Sequence, residues 1–357
     1  MVDSSTPEQE REQLNTGTKP VAETHRFNEA ALDAWMRANV PDYQGPLEVR
    51  QFKGGQSNPT YQLVTPRWKY VMRRKPPGKL LASAHAVDRE YKVVTALHTT
   101  GFPVARTYGL CRDESVIGTM FYVMDMVEGR ILWDQTLPSS APSERHAIFM
   151  AKLETLADLH NTDYQKIGLA DYGKPGNYMA RQVDRWTKQY KASETVRIEE
   201  MERLIEWLPK TVPSQERTSI VHGDYRLDNM VLHATEPRVV AVLDWELSTL
   251  GEPLADFTYL LMNWFNGSIA SIQNPKQYGI PSVEEYAAEY CRLTGRSSLP
   301  DLNWFLSYNT FRLAGIVQGI VGRVRDGTAN SPQAAAMAER VPGLAQASWA
   351  FARKAGA

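Results

Sequence analysis

The sequence is poor in cysteine and contains no long run of apolar residues. Cys111 and Cys291 are its only cysteines, too few for a disulfide framework or a thiolate metal cluster. No stretch has the roughly 18 uninterrupted apolar residues of a transmembrane helix. The polar start MVDSSTPEQE lacks the apolar segment of a secretory signal. These absences predict a cytoplasmic protein without a membrane partner.

The chain also lacks a strong net charge and internal repeats. Its 40 Lys and Arg residues against 41 Asp and Glu residues leave a formal net charge of -1 at pH 7. Because no overall positive charge is present, nucleic acid is not an expected partner. Hydrophobic residues make up 43% and charged residues 23% of the 357 positions, which is typical of a globular protein large enough for two lobes.

Hydrophobic periodicity separates a strand-rich part of the chain from a helical part. Residues 1–24 are predicted to be a flexible tail. Residues 25–127 combine alternating patterns of β-strands with two helical patterns and form the predicted N-terminal lobe. Residues 128–357 are mainly helical, with two short apolar strands near MVLH and VVAVLD. The pattern predicts an α+β class, with an antiparallel-sheet N-lobe and a mainly helical C-lobe.

The segment IVHGDYRLDNMVLH places polar residues between two apolar anchors. His222, Asp224 and Asn229 in it have the H-x-D-x-x-x-x-N spacing of a kinase catalytic loop. The Asp224 carboxylate could accept or orient the proton of a hydroxyl group, and the Asn229 amide oxygen suits Mg²⁺. We interpret His222 as a brace of the loop. The alternative is that Asp224 and Asp228 only form turns and that Asn229 caps the backbone.

A further acidic residue follows a buried strand pattern. Asp244 comes directly after the apolar run VVAVL, where the end of a buried strand can present a carboxylate to a metal ion. We therefore predict that Asp244 is the second metal ligand beside Asn229. The alternative is an aspartate that caps the turn after the strand.

Together these motifs resemble the aminoglycoside phosphotransferase and choline kinase-like family of the protein-kinase-like superfamily. The resemblance covers about residues 27–330 and is particularly marked toward the kinase-like module fused to some acyl-CoA dehydrogenases. It implies a bilobal protein-kinase-like fold that moves the γ-phosphoryl group of ATP, with Mg²⁺, to a hydroxyl of a small molecule. The segments that carry it are VHGDYRLDN, LDWELSTLGEPLADF, YVMRRKPPGKLLASAHAVDREY and FYVMDMVEGR.

In the N-lobe, FKGGQSNPTY occupies the place of the phosphate loop but departs from the G-x-G-x-x-G pattern of protein kinases. Gly54 and Gly55 would let backbone N–H groups approach a phosphate. Ser57 and Asn58 would add side-chain donors. The alternative is a plain glycine turn between two strands.

The resemblance places Arg73 where kinases have a phosphate-binding lysine. Arginine can bind phosphate with two parallel hydrogen bonds, and Lys75, two residues further on the same strand face, is the rival. Glu90 in the following helix is the expected partner of Arg73, or else part of a solvated helix face. The replaced lysine and the unusual phosphate loop also leave open a pseudokinase that binds nucleotide without turnover.

FYVMDMVEG matches the hinge whose backbone groups pair with adenine in kinases. By position, the backbones of Asp125 and Val127 would bind the base, with Met124 at the back of the pocket. Methionine and valine there could equally be ordinary core residues. Asp256 in LADF matches a residue that supports the catalytic loop.

The acceptor is expected against the C-terminal helices. Arg312 and Arg323 lie eleven residues apart in FRLAGIVQGIVGRVRDG, with Gly315 and Gly319 on the same helical face. Two cations favour an anionic acceptor, such as a hydroxy acid or a hydroxyacyl thioester. An aminoglycoside antibiotic is the alternative acceptor within the same class. The structural alternative is that the glycines allow close helix packing.

Overall fold

The computed structural model describes residues 15–54, 58–76, 86–327 and 334–357. Within them the chain forms two compact units. The first unit contains the described parts of Met1–Asp134, with Gln165–Tyr172 and Arg226–Ser248. The second unit contains Gln135–Tyr164, Gly173–Tyr225 and the described parts of Thr249–Ala357.

An antiparallel sheet of six strands, counted over the described residues, is the frame of the first unit. Its order is β1-β2-β3-β4-β6-β5. In β3 the side chains of Tyr61 and Leu63 are buried while their neighbours are partly exposed, as expected for alternation along a strand. Strands β1 to β6 span Thr18–Lys19, Glu48–Phe52, Thr60–Val64, Lys69–Arg74, Thr107–Cys111 and Phe121–Asp125.

Two helices accompany this sheet. Helix α1, Glu29–Asn39, begins after Asn28, whose side chain accepts a hydrogen bond from the Ala31 N–H at 3.0 Å, a typical N-cap. Its residues Leu32 and Met36 join the core formed by the sheet, as their spacing of four predicts. Helix α2, Val87–His98, packs on β5 and β6 and carries a buried glutamate.

Part of the predicted tail belongs to the sheet. Residues 1–14 lie outside the described part of the chain, but Thr18 and Lys19 form β1, which pairs with Phe52 and Gln51. The Ala22 N–H also donates to the Gln51 side chain at 3.1 Å. Residues 18 and 19, which the sequence pattern assigned to a flexible tail, thus belong to the sheet. A two-residue edge strand is held by backbone hydrogen bonds and leaves almost no side-chain pattern in the sequence.

A hairpin from later in the chain completes the first unit. Strands β8, Met230–Leu232, and β9, Val239–Val242, pair antiparallel with Met230 opposite Val242. The backbones of Arg130 and Leu232 exchange two hydrogen bonds of 2.8 Å, and the Val242 N–H donates to the Pro103 carbonyl at 2.8 Å. These bonds explain why the observed division of the chain differs from the predicted single boundary after residue 127.

The second unit is built mainly of helices. Short strands β7, Ser219–Val221, and β10, Thr249–Gly251, form an antiparallel pair within it. The predicted α+β class, a sheet region followed by a helical region, is confirmed. No helix in the described residues is both long and apolar enough to cross a membrane. Helices α3 to α9 span Pro142–Asn161, Tyr178–Ser193, Glu199–Trp207, Pro253–Phe265, Val283–Thr294, Leu302–Arg325 and Ala334–Lys354.

Gly129 offers a test of the packing that holds the hairpin in the first unit. A Cβ at this position would lie 2.2 Å from the Leu232 carbonyl oxygen and 2.6 Å from Val231 Cγ1. Gly129→Ala should therefore lower the free energy of unfolding by about 1–3 kcal/mol through overpacking, measured by urea unfolding. Gly343→Ala is the control, since nothing lies within 4 Å of its added methyl group. Equal stability of the two variants would contradict the tight contact.

Candidate active site

A buried ion pair lies at the centre of the first unit. Arg73 Nε on β4 is 2.7 Å from Glu90 Oε2 on α2, and Arg73 Nη2 donates to Glu90 Oε1 at 3.3 Å. Burial opposes the charge of Arg73, but the neighbouring carboxylate of Glu90 outweighs it, so the pKa of Arg73 is raised. The guanidinium of Arg73 therefore stays charged at neutral pH. The expected Arg73–Glu90 pair is present, and Glu90 does not lie on a solvated helix face.

Glu90 receives two further hydrogen bonds. The Asn58 amide donates to Glu90 Oε1 at 2.8 Å, and the Tyr122 hydroxyl donates to Oε2 at 3.2 Å. Burial, followed by the charge of Glu90, raises the pKa of Tyr122 well above its usual value, so this hydroxyl remains a donor. Glu90 is only 1% exposed. Its carboxylate is thus paired with a cation and two neutral hydrogen-bond donors, as a buried carboxylate requires.

Asp244 lies beside the same arginine. Its Oδ1 is 3.3 Å from Arg73 Nη2, and its side chain is 38% exposed. The backbone at Asp244 is left-handed, with φ 62° and ψ 66°, a conformation that non-glycine residues adopt rarely and that is often found at functional sites. A 3₁₀ helix, Trp245–Leu247, begins directly after it. The strand end therefore directs this carboxylate toward Arg73.

The β8–β9 hairpin brings Asn229 next to the residues around Asp244. The Leu243 N–H donates to the Asn229 carbonyl at 2.8 Å, which extends the strand pairing by one step beyond Met230 and Val242. Asn229 ends a 3₁₀ turn, Leu227–Asn229, just before β8. The two predicted metal ligands thus flank the same end of one hairpin.

The donor set of this hairpin end fits a hard cation. An amide oxygen and a carboxylate are ligands that Mg²⁺ accepts, and Mg²⁺ usually completes its shell with water and phosphate oxygens. The described residues contain no group of three or more His, Cys, Asp and Glu side chains placed to hold a metal. A cation bound at this hairpin end would therefore need further ligands, such as water or phosphate oxygens, to complete its shell.

The predicted phosphate loop is described only at its ends. Gly55 and Ser57 lie outside the described residues. A Cβ on Gly54 would be 3.2 Å from the Asn15 carbonyl oxygen, so this glycine allows a close backbone approach. Asn58 is buried and holds Glu90, a supporting contact that the sequence did not predict.

Lys75 and the hinge residues are also placed by the first unit. The Lys75 side chain forms no ion pair with another described residue, in contrast to Arg73. The Asp125 N–H donates to the Arg106 carbonyl at 2.8 Å, and its carboxylate accepts from the Tyr108 hydroxyl at 2.6 Å. These bonds fix the end of β6. Met124 on that strand and Val127 after it are both partly exposed.

The second unit holds the loop that carries Asp224. Asp256 on α6 accepts hydrogen bonds from the backbone N–H groups of His222 at 2.5 Å and Gly223 at 2.9 Å. Burial alone would raise the pKa of Asp256, but the His160 ring, with Nε2 3.6 Å from Asp256 Oδ2, and the loop donors outweigh burial and lower the pKa. His222 Nδ1 in turn accepts from the Asp224 N–H at 3.2 Å. His222 thus makes the bracing contact expected of it.

Two side chains that the sequence analysis did not connect to Asp224 surround this loop. The Tyr259 hydroxyl on α6 donates to Asp224 Oδ1 at 2.7 Å. Arg312 Nη2 on α8 donates to the Gly223 carbonyl at 2.6 Å. Tyr259 follows Asp256 by three residues, so both lie on one face of α6; that spacing was the only sequence signal that could have identified Tyr259.

Helix α8 carries the two arginines that were predicted to bind the acceptor, Arg312 and Arg323. Its packing differs from that prediction. Arg312 has its guanidinium 5.4 Å from the Trp186 ring centroid and 5.1 Å from that of Tyr259. Arg323 is exposed in the last turn of α8. The glycines between them do not leave an open surface, because α4 covers them. Added Cβ atoms on Gly315 and Gly319 would lie 3.7 Å from the Trp186 ring and 3.3 Å from Gln189 Nε2. The structural alternative of close helix packing is the observed one.

Comparison with known proteins identifies the family of this architecture. Residues 48–298 match the family model described as "Phosphotransferase enzyme family" (APH). A crystal structure from Ralstonia eutropha JMP134, provisionally described as an aminoglycoside phosphotransferase, is 52% identical with a TM-score of 0.86, covering 92% of this chain and 99% of that one. The ternary complex of aminoglycoside phosphotransferase APH(4)-Ia with AMP-PNP and hygromycin B shares the fold, with a TM-score of 0.59 at 14% identity over 92% of this chain and 99% of that one.

A longer protein also contains a region similar to this chain. Human acyl-CoA dehydrogenase family member 11 is 43% identical over 344 residues, which is 93% of this chain and 44% of that protein. The chain therefore spans less than half the length of this relative. The resemblance inferred from the sequence is confirmed. Since the family model covers well over half of the residues of this chain, the chain belongs to the APH phosphotransferase enzyme family.

Proposed function

We propose that the protein transfers the γ-phosphoryl group of ATP to a hydroxyl group of a small molecule, with Mg²⁺ as cofactor. One observation carries the proposal: Arg73 is held between Glu90 and Asp244 in the same unit, while the hairpin puts Asn229 at the end next to Asp244. A cation and two oxygen donors grouped in this way suit a nucleotide phosphate and its metal ion.

On the nucleotide side, each described residue has a proposed task. The guanidinium of Arg73 would bind phosphate oxygens, oriented by the buried Glu90. Asn229 and Asp244 would hold Mg²⁺, which when bound neutralises negative charge on the phosphates. The Gly54 backbone would approach the phosphates, while Asn58 would help to hold Glu90 in place. The adenine would pair with the backbones of Asp125 and Val127 beside Met124.

On the acceptor side, Asp224 would orient the hydroxyl group and receive its proton. The acceptor oxygen forms a new bond to the γ-phosphorus while the bond from that phosphorus to the ADP oxygen breaks. The products are the phosphorylated acceptor and ADP, with the hydroxyl proton on Asp224. Because phosphoryl transfer requires little covalent chemistry from the protein, positioning of the two reactants supplies most of the rate enhancement.

For the acceptor, we propose an anionic hydroxy acid or a hydroxyacyl thioester. The name of the human relative concerns acyl-CoA substrates, and a kinase acting beside such a dehydrogenase would meet hydroxylated acyl groups. Arg323, which is exposed, is the candidate contact for the negative charge, since Arg312 donates instead to the Gly223 carbonyl. The Ralstonia structure's description favours an aminoglycoside instead, and this second candidate requires a direct comparison.

A coupled ATP-consumption assay over two acceptor panels would test the proposal. One panel contains hydroxy acids and hydroxyacyl-CoA thioesters, and the other contains aminoglycosides. ADP formation that depends on an acceptor, with a phosphorylated product seen by mass spectrometry, is the expected result. Binding of Mg-ATP without turnover on any acceptor would indicate a pseudokinase. No thermal stabilisation by Mg-ATP would contradict nucleotide binding itself.

Removal of the proposed proton acceptor should abolish transfer without affecting nucleotide binding. Asp224→Asn and Asp224→Ala are expected to lower kcat by about 10²- to 10⁴-fold, the usual contribution of a general base. The Kd for AMP-PNP, measured by calorimetry, should remain within about twofold. Asp184→Asn is the matched control, because Asp184 is an exposed carboxylate of the same unit paired with Lys188. Full activity of Asp224→Ala would refute the assigned role.

A pair of substitutions separates Arg73 from its rival Lys75. Arg73→Met should weaken AMP-PNP binding about tenfold or more, because a charge-assisted hydrogen bond contributes about 1.5–3 kcal/mol. Lys75→Met should change the Kd by less than about twofold. Since Arg73→Met leaves Glu90 buried without its cation, the double variant Arg73→Met/Glu90→Gln controls for loss of folding. A larger effect of Lys75→Met would reassign the phosphate contact.

The metal site can be tested by titration. Asn229→Ala and Asp244→Asn should each raise the Mn²⁺ concentration needed for half-saturation in the presence of ADP, by about tenfold for the loss of a ligand. Electron paramagnetic resonance of free Mn²⁺ measures this without turnover. Asp171→Asn, which removes an exposed carboxylate paired with Lys92 in the same unit, is the control. Unchanged Mn²⁺ affinity in both variants would exclude these two ligands.

A further inference from the structure

We propose that Tyr259 and Arg312 are positioning residues that clamp the Asp224 loop, and that Arg312 acts through the loop rather than by binding the acceptor. The inference rests on the proposed function only in taking Asp224 as the group that meets the acceptor hydroxyl. The juxtaposition itself, contacts from α6 and α8 to residues 222–224, is a feature of the second unit alone.

Helix α6 holds the loop through its backbone and through the side chain of Asp224. The Asp256 carboxylate accepts the N–H groups of His222 and Gly223, which fixes the loop backbone. Three residues later, the Tyr259 hydroxyl donates to Asp224 Oδ1 at 2.7 Å, which fixes the side chain. A carboxylate anchored only through its backbone can still rotate about its side-chain bonds. The Tyr259 hydrogen bond removes that freedom and selects one orientation of the Asp224 carboxylate.

Helix α8 completes the clamp at the carbonyl oxygen of Gly223. Arg312 Nη2 donates to the Gly223 carbonyl at 2.6 Å, directly before Asp224. The guanidinium also lies against the rings of Trp186 and Tyr259, 5.4 Å and 5.1 Å from their centroids. Arg312 therefore contacts both the loop and the tyrosine that orients Asp224, and the three groups form one connected network.

The guanidinium of Arg312 stays protonated in this environment. Burial lowers the pKa of the guanidinium, but the nearby hydroxyls of Tyr308, Tyr259 and Tyr178 and the carboxylate of Asp224 more than offset it, so the pKa is raised. A permanent cation next to the peptide that precedes Asp224 can hold the Gly223 carbonyl through a charge-assisted hydrogen bond. With two aromatic rings beside it, this guanidinium is suited to a structural role.

A double-mutant cycle tests the link to Asp224. Tyr259→Phe should lower kcat about 10- to 100-fold through misorientation of the carboxylate, with KM for ATP changed less than about threefold. In the Asp224→Asn background, Tyr259→Phe should have no further effect on kcat, because the carboxylate that accepts the proton is gone. Tyr286→Phe is the control, since it removes a buried hydroxyl bonded to the Phe149 carbonyl in the same unit. Additive effects of Asp224→Asn and Tyr259→Phe would overturn the proposed coupling.

Hydrogen exchange gives a second readout that needs no turnover. Arg312→Gln should speed the exchange of the amides at residues 222–225 about tenfold by freeing the Gly223 peptide, and Arg312→Lys should restore part of the protection. Tyr286→Phe should leave these amides unchanged. Unaltered exchange in Arg312→Gln would refute the clamp. If no acceptor is ever phosphorylated, the proposed function fails, yet this measurement still decides whether Arg312 holds the loop.

Discussion

The buried carboxylate of Glu90 is the constraint on which the first unit's site depends. Removing an ion from water costs several kcal/mol unless a partner compensates, and here Arg73, Asn58 and Tyr122 all converge on the two oxygens. These partners lie on β4, before β3 and on β6. Satisfying one glutamate therefore ties α2 to three neighbouring parts of the sheet, and it orients the arginine that also meets Asp244.

Features that depend on local pattern or fixed spacing were predictable from the sequence. Alternation identified β3, and a spacing of four identified the buried face of α1. Asn229 and Asp244 could be linked because the short apolar strands between them form a hairpin, whose antiparallel pairing places its two open ends together. A motif that lies within one hairpin needs no long-range packing, so its geometry follows from the order of the residues.

Contacts made between distant elements were not predictable in the same way. Tyr259 and Asp224 are 35 positions apart, and only the docking of α6 on the loop brings them together. The glycines of α8 carry the same sequence signal whether a ligand or another helix covers them, and the structure shows α4 there. Asn58 was expected to face phosphate, yet its amide supports Glu90, because a buried acceptor competes for the nearest donor.

In the proposed function, the arginine at position 73 takes the place that a phosphate-binding lysine has in kinases. A lysine has one nitrogen atom to share among its partners, whereas the planar guanidinium presents several donors in a fixed fork. Arg73 uses that fork on two carboxylates, with Nε 2.7 Å from Glu90 and Nη2 3.3 Å from Asp244. The substitution thus connects the helix-borne glutamate to the proposed metal ligand through one rigid group.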